Sequence, residues 1–552
     1  MTRESTLQPI VEGVDWPEPR YAALWWTWDQ MHFPQPASPY TASIESGVMT
    51  RGSSRGFEAL GLPVRYLIAN IGGYNYGAVE FFDFDIDAWL PNAQARILGE
   101  LNGLLDKWRD VYLPEVVELN DRLRDFDYGG ATTEGLISQI DWSIEQRERK
   151  WEIHMLVVMP VMFAAGELGN QWEAAFGAER RGEALVLLQG FPNKTVEAGA
   201  ELWKLSREAL ATPEVAKLLL ETPPKRVLPL LGTSDAGRAF RAKLDAYLNE
   251  YGYRSGAFDY ADPGWIEDPV IALSTVRDYL KQPDSMDPAL LEKRAAAERE
   301  ELEAAAGPQV DAREDGPLLR MLLGLAQQYL PLQEDHNFFI DQAGTTLMRW
   351  PAKEAGRRLA ATDAIAMPED VFYLRVDEVK EALRAPASRD WAELVAERRA
   401  IRAAQAASRP PLNLGTPMPP ELMEDPRFGG FSGFFGEPIV QDETSNVLVG
   451  TPASRGTVTG RACVLHTLDE ADRLQPGDIL VCEMTMPPWT PLFAVAAGVV
   501  TDTGGALSHS AIVAREYGVP CVVGTTSGTR RIADGQRITV DGTAGTVTIE
   551  AD

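Results

Sequence analysis

The most informative part of the chain is residues 498–524, which read GVVTDTGGALSHSAIVAREYGVPCVVG. Its apolar start, residues 498–501, is typical of a buried strand, and the pair Gly504 and Gly505 predicts a turn directly after that strand. Ser508 then stands where a helix would be capped. This order of elements predicts a compact β/α domain with a tight loop between a strand and a helix.

The predicted helix begins after Ser508 and is closed by Gly518, which places His509 in its first turn. Glycines let backbone N–H groups approach a ligand, and the first turn of a helix adds further unpaired donors and a positive dipole. A neutral imidazole is a good nucleophile near pH 7. The pattern favours a phosphohistidine carrier, and the alternative is an ordinary surface histidine.

The same residues resemble a known family. The pattern GGxxSHxAIxARExGxPxVVG is similar to the active-site signature of the phosphohistidine swivelling domain of phosphoenolpyruvate (PEP)-utilising enzymes. Residues 450–462, 478–481 and 486–493 resemble the opening strand and the middle of that domain, so the resemblance covers roughly residues 448–550. It implies that His509 carries the phosphoryl group. The implied phosphate-binding residues are Gly504, Gly505, Ser508 and Arg515.

The chain before this domain has helical periodicity, for example over residues 133–176, 238–251 and 290–306. Residues 408–438 are rich in proline and glycine, which precludes a continuous helix and makes a buried strand unlikely. We therefore predict an α+β multi-domain protein. It has a mainly helical acceptor-binding domain (1–407), a linker (408–447) and a phosphohistidine swivelling domain (448–552).

The composition excludes several functional classes. The chain has 552 residues and a net charge of −29, which repels nucleic acid and anionic lipid. Its longest apolar run, residues 155–166, is too short to span a membrane, and no secretory signal is recognisable at the N-terminus. The three cysteines lack the spacing of a zinc site. We expect a cytoplasmic protein that acts on small molecules.

The sequence predicts that the phosphoryl donor binds elsewhere. We find no Walker-type loop and no strand–glycine–basic cluster, and the glycines at 72–73 lack a following lysine or arginine, which favours a plain turn. The resemblance implies an ATP-grasp donor module. We therefore expect a separate ATP-grasp subunit that binds ATP and Mg²⁺, and no metal site in this chain.

The first 400 residues resemble the substrate-binding domain of the rifampin phosphotransferase and phenylphosphate synthase branch of the family. The resemblance is carried by residues 26–40, 247–256, 263–269 and 370–379. Tyr253 stands where that branch has a histidine.

Residues 332–342, LQEDHNFFIDQ, form a second cluster of interest. On a regular helix Asp335, Phe339 and Gln342 would share one face, with His336 beside it. Ionisable groups next to aromatic rings suit a pocket for a hydroxyl-bearing aromatic molecule. Asp335 or His336 would then remove the hydroxyl proton. The alternative is an exposed helix turn with a solvated Glu–Asp pair.

His32 lies in an aromatic, proline-rich stretch that could line the same pocket. With Tyr253 and Gln342 it completes the predicted substrate-binding residues.

These features predict an ATP-dependent phosphotransferase component of the dikinase type. ATP would give AMP and phosphate, and His509 would pass the phosphoryl group to a phenol or p-cresol type of acceptor in aromatic degradation, as the resemblance to phenylphosphate synthase and 4-methylbenzyl phosphate synthase implies. The alternatives are a component of an antibiotic phosphotransferase and a phosphocarrier that serves a protein partner. The exact acceptor, the phosphorylated ring nitrogen of His509 and the oligomeric state stay open.

Overall fold

The computed structural model describes residues 13–62, 64–81, 95–177, 180–408, 410–417, 441–442, 444–486 and 489–550. The chain divides into two compact units. Unit one comprises Met1–Pro160, Ala257–Pro263 and Phe339–Asp425, and unit two comprises Val161–Gly256, Gly264–Phe338 and Pro426–Asp552. Residues 1–407 thus contribute to both units. The α+β multi-domain class is confirmed, and the predicted domain boundaries stay predictions.

Most of the helices lie before residue 407, and three of those in the described residues lie after it. In chain order they are α1 (Pro39–Ala59), α2 (95–101), α3 (Leu104–Lys107), α4 (Leu113–Asp125), α5 (Thr133–Phe176), α6 (Arg181–Val186), α7 (Lys194–Leu210), α8 (Pro213–Glu221), α9 (Pro224–Leu231), α10 (Asp235–Tyr251), α11 (Val270–Tyr279), α12 (Pro288–Asp311), α13 (Gly316–Tyr329), α14 (Leu332–His336), α15 (Ala343–Ala361), α16 (Val376–Arg384), α17 (Trp391–Ala406), α18 (Thr490–Phe493), α19 (His509–Tyr517) and α20 (Gly528–Arg531). The helices predicted over 133–176, 238–251 and 290–306 correspond to α5, α10 and α12.

Unit one contains a four-stranded sheet in the order β2-β3-β1-β4. Its strands are β1 (Trp25–Trp28), β2 (Val64–Ile71), β3 (Tyr74–Phe81) and β4 (Asn413–Gly415). The strands β2 and β3 form a hairpin, and Gly72 and Gly73 both have positive φ at its turn, so the prediction of a plain turn is confirmed.

The short strand β4 corrects one expectation. The prolines and glycines of this stretch disfavour a buried strand, yet Asn413–Gly415 pairs antiparallel with β1, and Leu414 is buried against Trp26 in the sheet core. A strand of three residues can form here because the flanking prolines lie outside the paired segment. Residues 409, 418–440 and 443 of the predicted linker lie outside the described residues.

Unit two contains an eight-stranded sheet in the order β5-β12-β11-β7-β8-β9-β10-β6. Its strands are β5 (Val447–Val449), β6 (Thr451–Ser454), β7 (Thr457–Val464), β8 (Ile479–Cys482), β9 (Gly498–Thr501), β10 (Cys521–Val523), β11 (Arg537–Asp541) and β12 (Thr546–Ile549). The four central strands β7 to β10 run parallel, and the others pair antiparallel. The fully apolar and fully buried run of β8, residues 479–482, is typical of a strand covered on both faces of the sheet.

The three cysteines, Cys463, Cys482 and Cys521, are free thiols buried in this sheet. Burial raises the pKa of Cys521 to about 12, so the thiol stays protonated and inert at neutral pH. The cysteines therefore serve as packing residues of the sheet core.

Helix α5 is the one element among the described residues that is long and apolar enough, by length and composition alone, to cross a membrane. Of its most apolar window, 61% is buried inside the fold. Trp151, Val157 and Leu168 along it are almost completely buried. This is the pattern of a core helix in a globular protein.

Candidate functional site

The loop before α19 places His509 at the first position of that helix. Gly504 has a φ of +99°, and a Cβ there would lie 2.8 Å from the hydroxyl oxygen of Ser508, so only glycine fits. The backbone N–H of Ser508 donates to the carbonyl oxygen of Gly505 at 3.0 Å, which closes the turn. Gly518 ends the helix in the left-handed conformation, as predicted.

Ser508 differs from the expectation. It occupies the N-cap position, but its side chain makes no capping hydrogen bond. Its hydroxyl is buried and has no partner among the described residues. A buried hydroxyl without a partner, one residue before His509, is available to an incoming oxyanion.

The imidazole of His509 lies between two side chains of unit two. Its Nδ1 is 3.1 Å and 3.2 Å from the carboxylate oxygens of Glu334, and its Nε2 is 3.3 Å from the hydroxyl oxygen of Thr490. A carboxylate can only accept, so Nδ1 carries the proton in this contact. Nε2 then keeps its lone pair, toward which the hydroxyl of Thr490 can donate.

Glu334 is the acid that contacts His509, and burial and a second hydrogen bond fix its position. It is 3% exposed, and it also accepts a hydrogen bond of 2.6 Å from the hydroxyl of Thr195. Burial alone would raise its pKa, but His509, Thr195 and the neighbouring His336 outweigh burial and hold the pKa below the ordinary value. Glu334 therefore stays ionised, and the alternative of a solvated Glu–Asp pair is wrong.

Asp335 and His336 follow Glu334 at the end of α14. Asp335 is half-buried and accepts a hydrogen bond of 2.9 Å from the backbone N–H of Lys194, the first residue of α7. Burial raises the pKa of Asp335 to about 6, against the lowering effect of that bond. His336 is buried, and its Nδ1 donates to the carbonyl oxygen of Leu332 at 2.7 Å.

The helix around this cluster is not regular. The backbone passes from α14 into a π-helix over Asn337–Gln342 and then into α15. The expectation that Asp335, Phe339 and Gln342 share one face assumed 3.6 residues per turn and is wrong, because a π-helix shifts the phase of the side chains. Gln342 is buried and belongs to unit one, whereas Asp335 and His336 belong to unit two.

Arg515 supports the loop that carries the glycines. Its Nη1 donates to the carbonyl oxygens of Ala453 on β6 and Ala506 in the loop, both at 2.9 Å. Burial lowers the pKa of Arg515 to about 10, so it is still a cation at neutral pH. A direct contact of Arg515 with phosphate stays a prediction, as do the contacts predicted for Gly504 and Gly505.

The two other predicted substrate residues lie in different units. His32 belongs to unit one, and its Nδ1 lies 2.8 Å from a carboxylate oxygen of Asp29. Its ring packs against the rings of Trp151 and Phe258. Tyr253, in unit two, is a buried residue just after α10. The aromatic surroundings expected for His32 are present, and its role toward substrate stays a prediction.

Three residues of the His509 site escaped the sequence reasoning: Glu334, Thr195 and Thr490. The signal for Glu334 was its position directly before Asp335 in a segment already singled out. Thr195 and Thr490 carry no local signal, because only the folded chain brings α7 and α18 next to His509.

Further contacts hold α19 and its domain against the helices of unit two. The carboxylate of Glu516 accepts from the backbone N–H of Gly190 at 2.9 Å, and the hydroxyls of Tyr517 and Tyr279 lie 3.4 Å apart. Arg277 forms an ion pair of 2.6 Å with Asp472. We call these three contacts the docking contacts.

Comparison with known families gives two matches. Residues 474–545 match the profile of the mobile domain of PEP-utilising enzymes, and residues 154–334 match the fourth domain of rifampicin phosphotransferase. The first match contains His509, and the second contains Thr195 and Glu334. The two halves of the His509 site are thus each covered by a family match.

Similarity to individual proteins extends further along the chain. The chain is 34% identical to chondramide synthase cmdD of Chondromyces crocatus over 97% of its own length and 14% of that protein. It is 33% identical to the uncharacterized phosphotransferase YvkC of Bacillus subtilis over 72% of its length and 47% of that protein. It is 31% identical to a rifampicin phosphotransferase of Streptomyces sviceus over 72% of its length and 44% of that protein. The chain therefore spans less than half of each of these relatives.

Proposed function

Because the chain belongs to the family of PEP-utilising enzymes, we propose that it is the part of a phosphotransferase that carries a phosphoryl group on His509 and hands it to an acceptor hydroxyl. The contact of the His509 imidazole with the buried Glu334 carries this proposal. It joins the mobile domain to the residues that match the rifampicin phosphotransferase fourth domain.

The nitrogen that takes the phosphoryl group is Nε2. Since the carboxylate of Glu334 fixes the proton on Nδ1, the lone pair of Nε2 is free to attack phosphorus. The hydroxyls of Thr490 and Ser508 and the N–H groups of the first turn of α19 are the donors available to the phosphoryl oxygens.

In the transfer step the P–Nε2 bond breaks and a bond forms between phosphorus and the acceptor oxygen. The ring nitrogen keeps the electron pair, and the proton of the acceptor hydroxyl passes to a base. Asp335 is the better of the two predicted bases. Its pKa of about 6 leaves it ionised at neutral pH yet makes it a stronger base than an ordinary carboxylate. His336 is buried, and its Nδ1 is bonded to the backbone of its own helix.

The acceptor is a hydroxyl-bearing aromatic molecule of the phenol or p-cresol type. The buried rings of Phe338 and Tyr251, with centroids 6.1 Å apart, give this cluster aromatic surroundings that suit such an acceptor. A second candidate is a large macrocyclic antibiotic. The match to the rifampicin phosphotransferase fourth domain over residues 154–334 favours this candidate.

The donor side involves ATP and Mg²⁺ bound by a separate ATP-grasp module, in the cytoplasm. The Gly72–Gly73 loop is the turn of the β2–β3 hairpin, which supports the proposal that the nucleotide binds to another module. The docking contacts would hold the mobile domain at the acceptor side and would be released for loading.

The test is labelling of the protein with radioactive ATP and its ATP-grasp partner. We expect an acid-labile, base-stable label on the wild-type chain and none on His509→Ala. His466→Ala is the matched control, since His466 lies on the same domain with its side chain 53% exposed and paired with Glu483. A label that survives undiminished in His509→Ala would disprove the proposal. Discharge of the label by phenol, p-cresol or rifampicin then identifies the acceptor class.

A further inference from the structure

Arg254 is a buried cation that forms no ion pair within the described residues, and the nearest acidic charge acting on it is that of Glu334. It follows α10 and is 2% exposed, and its Nε has no hydrogen-bond partner among the described residues. Its Nη2 reaches only the carbonyl oxygen of Lys194, at 3.3 Å, which is longer than an ordinary N–H···O bond. A buried guanidinium with so few hydrogen bonds destabilises the folded chain, so its presence calls for a compensating function.

Two other donors near Arg254 also lack an acceptor. The hydroxyl of Tyr247 and the indole N–H of Trp265 are buried and have no partner among the described residues. The guanidinium carbon lies 6.0 Å from the Trp265 ring, and the charge of Arg254 acts on the Tyr247 hydroxyl. Since an indole N–H can only donate, what is missing at this place is an acceptor that carries negative charge.

The position of Arg254 ties this group to the His509 site. The guanidinium lies over the ring of Phe338 at 5.4 Å, and the ammonium of Lys194 lies over the same ring at 6.0 Å. Lys194 also donates its backbone N–H to Asp335, and the next residue, Thr195, donates to Glu334. A short chain of contacts therefore runs from Arg254 to the carboxylate that holds His509.

We propose that Arg254, with Tyr247 and Trp265, binds a phosphate-type oxyanion beside the His509 site. A guanidinium offers paired N–H groups that match two oxygens of a phosphate, and the other two donors can take the remaining oxygens. The proposal rests on the proposed function for the identity of that oxyanion. It is either the phosphoryl group at the acceptor side or an acidic group of the acceptor.

Binding of inorganic phosphate to the purified full chain tests the proposal without any activity measurement. Calorimetry and thermal unfolding should show phosphate binding to the wild type and a rise of Tm with phosphate. Arg254→Gln should weaken binding by roughly 10-fold or more, because a charge-assisted hydrogen bond is lost. Arg254→Lys should keep part of the affinity, since it keeps the charge. Without phosphate, Arg254→Gln should unfold at the same temperature as the wild type or a higher one, because it removes a buried unpaired charge.

The matched control is Arg207→Gln. Arg207 also lies over an aromatic ring on α7, Trp203, but it has Asp284 as a counter-ion and bonds to backbone carbonyls. We expect its phosphate affinity to equal that of the wild type. Wild-type chain that binds no phosphate, or Arg254→Gln that binds it as tightly as the wild type, would overturn the proposal.

Loading of His509 with phosphoramidate separates the two sources of the oxyanion. If the site holds the phosphoryl group of phosphohistidine, loading should abolish phosphate binding. If it holds an acidic group of the acceptor, loaded and unloaded chains should bind phosphate equally. Failure of His509 to take up any label would count against the proposed function alone, because the phosphate measurement on unloaded chain does not depend on it.

Discussion

At the scale of single residues, the pair of Glu334 and His509 decides what the site can do. A lone histidine at a helix start exchanges its proton between both nitrogens, and either nitrogen can react. The carboxylate of Glu334, buried and kept ionised, removes that ambiguity because it holds the proton on Nδ1.

Glu334→Gln tests this effect. The amide can still accept a hydrogen bond, but the charge is lost, and a hydrogen bond to a charged group is worth about 1.5–3 kcal/mol. We expect transfer from His509 to the acceptor to slow roughly 10- to 100-fold. Nitrogen NMR should show a mixture of His509 tautomers. Glu483→Gln, which removes the carboxylate partner of His466, is the control and should leave the rate unchanged. An unchanged rate in Glu334→Gln would remove Glu334 from the mechanism.

Asp335 gives a pH-dependent prediction. As a base it must be ionised, and burial raises its pKa to about 6, so the rate of transfer should rise with pH through about 6 and level off above it. Asp335→Asn should lose this rise and slow transfer by about 10²- to 10⁴-fold. The measurement is a single-turnover chase of loaded His509 with p-cresol across pH 5 to 8.

His336→Ala is the companion variant in the same chase. Loading of His509 by the partner should stay intact in both variants, since the base acts only in the second step. If both variants discharge at the wild-type rate and follow the wild-type pH profile, neither residue is the base. It must then be sought around Tyr253 or His32.

At the scale of elements, helix α19 both carries His509 and provides a docking contact through Glu516. One carboxylate oxygen of Glu516 accepts from Gly190, and the other is buried without a partner among the described residues. Burial raises the pKa of Glu516 to about 7, so the ordinary ionised form is unfavourable in the docked state.

The pH dependence of stability follows from this shift. Between about pH 4.5 and 7 the folded chain keeps a proton on Glu516 that the unfolded chain has lost. The free energy of unfolding therefore falls as pH rises through this window, by on the order of 3 kcal/mol from this group. Glu516→Gln should flatten the fall in a denaturant series from pH 4.5 to 8. Asp472→Asn, at a half-exposed ion pair, should not alter it. If the free energy of unfolding of Glu516→Gln falls with pH as much as that of the wild type, a group other than Glu516 causes the fall.

The elements show where sequence reasoning succeeds. The strand, turn and helix around His509 were predictable because local rules act there: apolar runs, a glycine that needs positive φ and a glycine that ends the helix. The π-helix over Asn337–Gln342 and the strand β4 were not. A π-helix is formed by the same residue types as an α-helix, so the sequence gives no signal for it. Strand β4 forms only because β1, almost 400 residues earlier in the chain, offers an edge for pairing.

At the scale of the whole molecule, the site is built from segments that are distant in sequence. His509 and Glu334 are 175 residues apart, and Thr195 is 139 residues from Glu334. The sequence could identify His509 from its own surroundings and could single out the segment of Glu334. It could not show that the two meet, because that contact depends on how the helices of unit two pack against the eight-stranded sheet.

We predict that this chain carries the phosphoryl group but does not itself react with ATP, which is bound by the ATP-grasp module. A net charge of −29 disfavours binding of a nucleotide triphosphate, and the paired glycines at 72–73 are used for a hairpin turn. We therefore expect the purified chain to show no tight ATP binding by calorimetry and no self-labelling with radioactive ATP. Addition of the ATP-grasp partner should produce both the label on His509 and, with an acceptor present, its discharge. Phosphoramidate should load His509 without the partner, which shows that the carrier itself is competent. Robust self-phosphorylation of a homogeneous preparation by ATP would contradict the proposal and would require a nucleotide site in this chain.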